Sequence, residues 1–129
     1  MEKNLEEIRK NVETRCVKER SADIVPKVSV IIPCYNVENY VEDCLESILN
    51  QTLHEIEVIC VNDGSIDSTE EVLLKIAQND SRVAVYTQKN AGQGAARNQA
   101  VKNATGQYLY FMDSDDLLEK EALKELYSL

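Results

Sequence analysis

Apolar residues along this chain alternate between short β-branched runs and stripes at helical spacing. Val28-Ser-Val-Ile-Ile32 is a β-branched run of strand length, and Pro33-Cys34-Tyr35-Asn36 ends it. Residues 37 to 49 then place Tyr40, Val41, Cys44, Leu45, Ile48 and Leu49 on one helical face, with Asn36 as the expected N-cap. Glu57-Val-Ile-Cys-Val61 predicts a second strand, ending in Asn62-Asp63-Gly64-Ser65. A helix follows from about Thr69, with Ser68 and Glu71 at capping-box spacing and an apolar face of Val72, Leu73 and Ile76. Arg82 to Thr87 predicts a third strand, and the loop Gln88 to Gly94 leads into an alanine-rich helix over Ala95 to Ala104, with Gly106 as its stop. A fourth apolar run, Tyr108 to Met112, reads as a buried strand entering Asp113, and Leu117 to Leu126 as a last helix.

Strands alternating with helices at short spacing predict an α/β fold with a mostly parallel sheet, doubly wound and covered on both faces. In such sheets the ligand site lies off the carboxyl ends of the strands, at the switch in strand order. Three polar clusters fall there: Pro33-Cys34-Tyr35-Asn36, Asn62-Asp63-Gly64-Ser65 and Asp113-Ser114-Asp115-Asp116. Residues 1 to 26 differ from the rest. They are rich in Glu, Lys and Arg, with a thin line of Leu5, Ile8, Val12 and Cys16 at helical spacing, and predict a solvated helical leader ending at Pro26.

Composition adds limits. The 129 residues fit one domain, 27–129, beyond the leader. A net charge of −9 argues against a nucleic acid partner but not against a nucleotide, since a bound metal inverts the local sign. There is no apolar run of membrane-spanning length, and no signal peptide is expected. The cysteines at 16, 34, 44 and 60 form no CxxC pair, which speaks against zinc and suits a reducing cytosol.

Three carboxylates within four residues repel one another and ionise together most easily around a cation. An all-oxygen set fits Mg²⁺ or Mn²⁺, ions that keep few protein ligands and fill the rest with water and phosphate. The competing reading is a helix cap: Ser114 or Asp116 capping a helix that begins at Leu117. The three clusters at one sheet edge favour the metal. Neither a dinucleotide glycine fingerprint nor a P-loop is present; Gly92-Gln93-Gly94 lacks the third glycine and follows the third strand rather than the first. Tyr35 offers a face for a base, or ordinary packing. Asp63, or Asn62 beside it, can accept from a ring imide N–H, or simply form a turn. Arg97 is a fork-shaped donor for a base carbonyl or phosphate, or a surface charge.

Together, Val28–Asn36, Val58–Thr69, Asn90–Asn98 and Tyr108–Asp116 resemble the family 2 glycosyltransferases of the Rossmann-like GT-A fold, in order and spacing. The resemblance implies inverting transfer of a sugar from a nucleotide-diphosphate donor, usually a UDP-sugar, to a hydroxyl acceptor on a glycan or lipid-linked molecule in polysaccharide synthesis. It places the Asp-x-Asp pair of the family, ligands to Mn²⁺ or Mg²⁺, at Asp113 and Asp115, with Asp113 shared with the ribose or sugar. It places nucleotide contacts at Pro33, Tyr35, Asn36, Asn62 or Asp63, Arg97, Asp113 and Ser114. The acceptor half and general base of the family lie on later segments, so the general base is expected past Leu129. A donor half alone is expected to bind nucleotide and transfer sugar poorly, or to serve as a non-catalytic nucleotide-sugar module. Homo-oligomers through the open sheet edge or the leader helix, and a cytoplasmic location with contact at the inner membrane face, complete the expectations.

Overall fold

The computed structural model describes residues 14–129. Its sheet has, among the described residues, five strands: β1 (Thr14–Lys18), β2 (Val28–Cys34), β3 (Ile56–Asp63), β4 (Val83–Gln88) and β5 (Tyr108–Phe111). Their order across the sheet is β1-β4-β3-β2-β5. The pairs β4–β3, β3–β2 and β2–β5 are parallel, and β1 joins β4 antiparallel. The helices are α1 (Val41–Leu49), α2 (Thr69–Asn79), α3 (Gln93–Lys102) and α4 (Ala122–Tyr127).

Strand periodicity divides the core. Val28, Val30, Ile32 and Cys34 of β2, with Ile56, Val58 and Cys60 of β3, pack with Val41, Cys44, Leu45 and Ile48 of α1 and Leu73 and Ala77 of α2. The alternate residues Ile31, Ile59 and Val61 turn to the other face and meet Ala96 and Ala100 of α3. Two alanines one turn apart let that helix lie close to the sheet. The chain therefore winds outward from β2 through β3 to β4, then returns over the other face to β5. The switch in strand order falls between β2 and β5, and in such sheets that is where a ligand crevice opens.

Several sequence expectations change. The helical line expected to reach Cys16 does not: Thr14–Lys18 is a strand on the open edge of β4, and Val17 packs against the core. The remainder of the expected leader helix, residues 1–13, lies outside the described residues. Arg20 ties the connecting segment down by an ion pair from its Nε to Glu57 Oε2. Glu57 is fully buried and also accepts from Ser29 Oγ and from the Thr105 amide and hydroxyl, so its charge is matched inside the fold. Gly106 does not end α3; it passes so close to β2 that a Cβ there would stand 2.6 Å from Ser29 Oγ and 2.7 Å from its amide.

β5 is an edge strand rather than a buried one, with Tyr108, Leu109 and Phe111 exposed. No helix begins at Leu117. Gln51, fully buried at the end of α1, donates to the Glu119 carbonyl and accepts from the Leu123 amide, while the Leu118 amide donates to Ser47 Oγ. These tertiary bonds hold 117–121 in irregular form and delay α4 to Ala122. No helix among the described residues is long and apolar enough to cross a membrane.

Candidate nucleotide and metal site

The carboxyl ends of the strands enclose a cavity of about 430 Å³, lined by Pro33, Cys34, Tyr35, Asp63, Asn90, Gly92, Gln93 and Ser114. The strand register creates it. Asp63 is the last residue of β3 and sits opposite Gln88 of β4, while the Met112 amide donates to Ile31 O and brings the chain out of β5 beside the end of β2.

Asp63 is 3% exposed and its carboxylate is the anchor of the cavity wall. Its Oδ1 accepts from Gln88 Nε2 at 2.9 Å and from the Ala91 amide at 2.8 Å, and its Oδ2 accepts from the Gly92 amide at 3.0 Å. A carboxylate has about four acceptor sites, so about one remains, on Oδ2. Gly64 follows in a left-handed conformation at φ +68°, and a Cβ there would lie 2.5 Å from the Asn90 amide nitrogen. Only glycine lets the two loops meet at this distance.

Asn62 is not among the residues that line the cavity. Its Oδ1 accepts from the Ser65 amide and its Nδ2 donates to Thr87 Oγ1, so it builds the turn. Asn36 is not the N-cap of α1, which begins at Val41. It adopts φ 50° and ties two loops: its Oδ1 accepts from the Ile66 amide and its own amide donates to Ser65 Oγ. The expected capping box at Ser68 and Glu71 is also absent, since α2 has no side-chain cap; Glu38 Oε2 instead accepts from the Ser68 amide, and Asp67 Oδ1 from the Thr69 amide and hydroxyl. Hydrogen bonds outweigh the slight burial of Asp67 and hold its carboxyl below the usual range.

Asp113, Asp115 and Asp116 each present a carboxylate oxygen, all within 4.8 Å of one another, and all three residues are exposed. That donor set suits a hard divalent cation and offers nothing to a soft one. Asp113 Oδ1 accepts from Gln93 Nε2 at 3.3 Å and lies 3.8 Å from Arg97 Nη2, so α3 reaches the cluster from two positions one turn apart. The Arg97 side chain is 42% exposed, yet its Nε is buried without a partner. Beneath the cluster the Cys44 thiol contacts the Asp113 carbonyl at 3.6 Å. Burial first, then Cys60 and the three aspartates, push this thiol up to about 12, so it stays protonated under the acidic turn.

Of the residues expected from the sequence, the structure brings Pro33, Tyr35, Asp63 and Ser114 to the cavity wall. Arg97, Asp113 and Asp115 gather beside it, linked to the wall through Gln93. Asn36 and Asn62 serve the surrounding loops. The sequence reading missed Asn90, Gly92 and Gln93 as wall residues. Their signal was available: the loop after β4 is a fourth polar cluster at a strand's carboxyl end, set aside because its glycines fit no phosphate-loop pattern.

Fold and cavity together define a doubly wound α/β domain with its ligand crevice at the switch point, arranged as in the GT-A glycosyltransferases. The family model "Glycosyl transferase family 2" matches residues 29–129, and the chain belongs to that family. It is 46% identical over 100 residues to hyaluronan synthase of Pasteurella multocida, which covers 78% of this chain and 10% of that protein. Among solved structures it is similar to TarS of S. aureus in complex with UDP-GlcNAc, with a TM-score of 0.74 at 38% identity, over 79% of this chain and 30% of that one. The mannosyltransferase PcManGT of Pyrobaculum calidifontis, in complex with GDP-Man and Mn²⁺, gives a TM-score of 0.67 at 27% identity, over 79% and 31%. The chain thus spans a third or less of the length of each.

Proposed function

We propose that residues 27–129 form the donor site of a metal-dependent, inverting glycosyltransferase that takes its sugar from a UDP-sugar for glycan or polysaccharide synthesis. The observation that carries this reading is the pairing of one pre-built cavity, walled by Tyr35 and Asp63, with an exposed three-carboxylate cluster at its rim. Tyr35, half exposed, gives the base a flat face. The remaining acceptor site of Asp63 Oδ2 takes an imide N–H, which uracil has and cytosine lacks. Arg97 and the uncapped start of α3 face the diphosphate charge. Asp113 and Asp115 would hold Mn²⁺ or Mg²⁺, and the ion when bound supplies charge stabilisation at the departing diphosphate. Asp63 already accepts three hydrogen bonds and acts as a positioning group, so no general base is assigned among the described residues.

The named complexes support the donor class: TarS with UDP-GlcNAc for uridine, and the mannosyltransferase with GDP-Man and Mn²⁺ for a divalent metal. A cytosolic location, at the inner membrane face where lipid-linked acceptors are met, fits four unpaired cysteines, three of them buried. Calorimetric titration of UDP, GDP and CDP in Mn²⁺ tests the reading. UDP is expected to bind most tightly. Failure of all three nucleotides to bind would overturn the donor site, and a preference for GDP would overturn its assignment to uridine.

A further inference from the structure

The carboxylate of Asp63 is held by more than its own strand. Gln88, the last residue of β4 and 4% exposed, donates from Nε2 to Asp63 Oδ1 at 2.9 Å. An ionised carboxylate only accepts, so this bond fixes which end of the Gln88 amide faces Asp63. The amide oxygen is then left for Thr14, whose hydroxyl donates to Gln88 Oε1 at 3.2 Å. Thr14 stands opposite Gln88 in the β1–β4 register. It precedes the residues that the family model matches, so one end of the relay comes from a segment outside them. At the other end, Asp63 holds the amides of Ala91 and Gly92. Gly92, in a left-handed conformation at φ 98°, immediately precedes α3, which carries Gln93 and Arg97 to Asp113.

We propose that Thr14 and Gln88 are positioning residues that orient Asp63 for base discrimination and fix the loop 90–92 on which α3 begins. The proposal deepens the donor-site reading and rests on it. With Gln88 and Ala91 on Oδ1 and Gly92 on Oδ2, the carboxylate cannot rotate without losing bonds. Its remaining acceptor site then keeps one direction, which a uracil imide N–H satisfies and the bare ring nitrogen of cytosine does not. Without the relay the carboxylate turns more freely and the distinction fades.

The test uses the full 129-residue chain. Dissociation constants for UDP and CDP in Mn²⁺ are measured for wild type, Gln88→Leu and Thr14→Val, beside hydrogen exchange at the Ala91 and Gly92 amides without nucleotide. Gln88→Leu is expected to lower the UDP-over-CDP ratio about tenfold and to speed exchange at both amides, because a charged acceptor loses a buried donor. Thr14→Val is expected to lower the ratio about threefold, and it keeps the proposal testable if Gln88→Leu fails to fold. A purely structural role would weaken UDP and CDP equally; an unchanged ratio in both variants would therefore overturn the proposal. A wild type that binds neither nucleotide overturns the donor-site reading and base discrimination with it. Exchange at Ala91 and Gly92 still decides then whether Gln88 fixes the loop, and an unchanged rate would overturn that part too.

Discussion

Two groups of carboxylates stand at the carboxyl edge of the sheet under opposite conditions. Asp63 is buried and accepts three hydrogen bonds from β4 and the loop that follows it. Asp113, Asp115 and Asp116 are exposed within reach of one another, and the side-chain partners of Asp113 are a 3.3 Å amide and an arginine at 3.8 Å. The first carboxylate is fully supported once the chain folds. The second group carries a repulsion of about 1 kcal/mol per close pair in water, which a bound cation reverses. One region is therefore set by folding, and the other keeps a charge that a ligand could match. On the proposed donor site, that difference would separate a wall that selects the base from a rim that meets the charged diphosphate.

That contrast breaks most sharply at Asp63 itself. Asp63→Ala strands the Gln88 amide and two backbone N–H groups, and is expected to cost about 3 kcal/mol in urea unfolding. Asp115→Ala removes a repelling carboxylate and is expected to cost nothing, or to stabilise by about 1 kcal/mol. Equal losses in the two variants would erase the distinction. Next in size is Gly64→Ala. A left-handed alanine, with its Cβ 2.5 Å from the Asn90 amide, must push the two loops apart. A cost of about 2 kcal/mol is expected, with faster exchange at Ala91 and Gly92.

The smallest effect lies away from the site and serves as a control. Asp80 accepts from Arg82 Nε and Nη2, and those hydrogen bonds hold its carboxyl below the usual range. A folded value below the unfolded one means that its contribution is complete above about pH 4 and is lost as pH falls through the lower folded value. Asp80→Asn is thus expected to flatten the acid side of the stability curve by about 1 kcal/mol or less, without changing nucleotide affinity. A change in affinity would show that the site depends on the far end of the sheet.

The sequence showed the four parallel strands, their order of appearance and three of the four polar clusters, because short β-branched runs and the polar turn residues after them, such as Gly64, are local signals; Pro33, read as an end, lies inside β2. It misjudged features that depend on partners distant in the chain. Tyr108–Phe111 reads as a buried strand by composition, but burial at an edge is set by what lies beside it. Leu117–Leu126 has helical spacing, yet Gln51 and Ser47 take its early amides and carbonyls. Cys16 fits a helical stripe, and the open edge of β4 draws it into a strand. Asn36 reads as a cap and is a tie between loops. The Asp63 relay was invisible for the same reason: Gln88 looks like any polar residue ending a strand until Thr14 and Asp63 flank it.

The most direct measurement is calorimetric titration of UDP in Mn²⁺ and again with chelator, on wild type and Asp115→Ala. If the exposed aspartates hold the metal that meets the diphosphate, wild type binds UDP with Mn²⁺ and loses most of that affinity with chelator, while Asp115→Ala binds weakly in both. UDP affinity that is the same with and without metal, or that survives Asp115→Ala intact, would contradict the account.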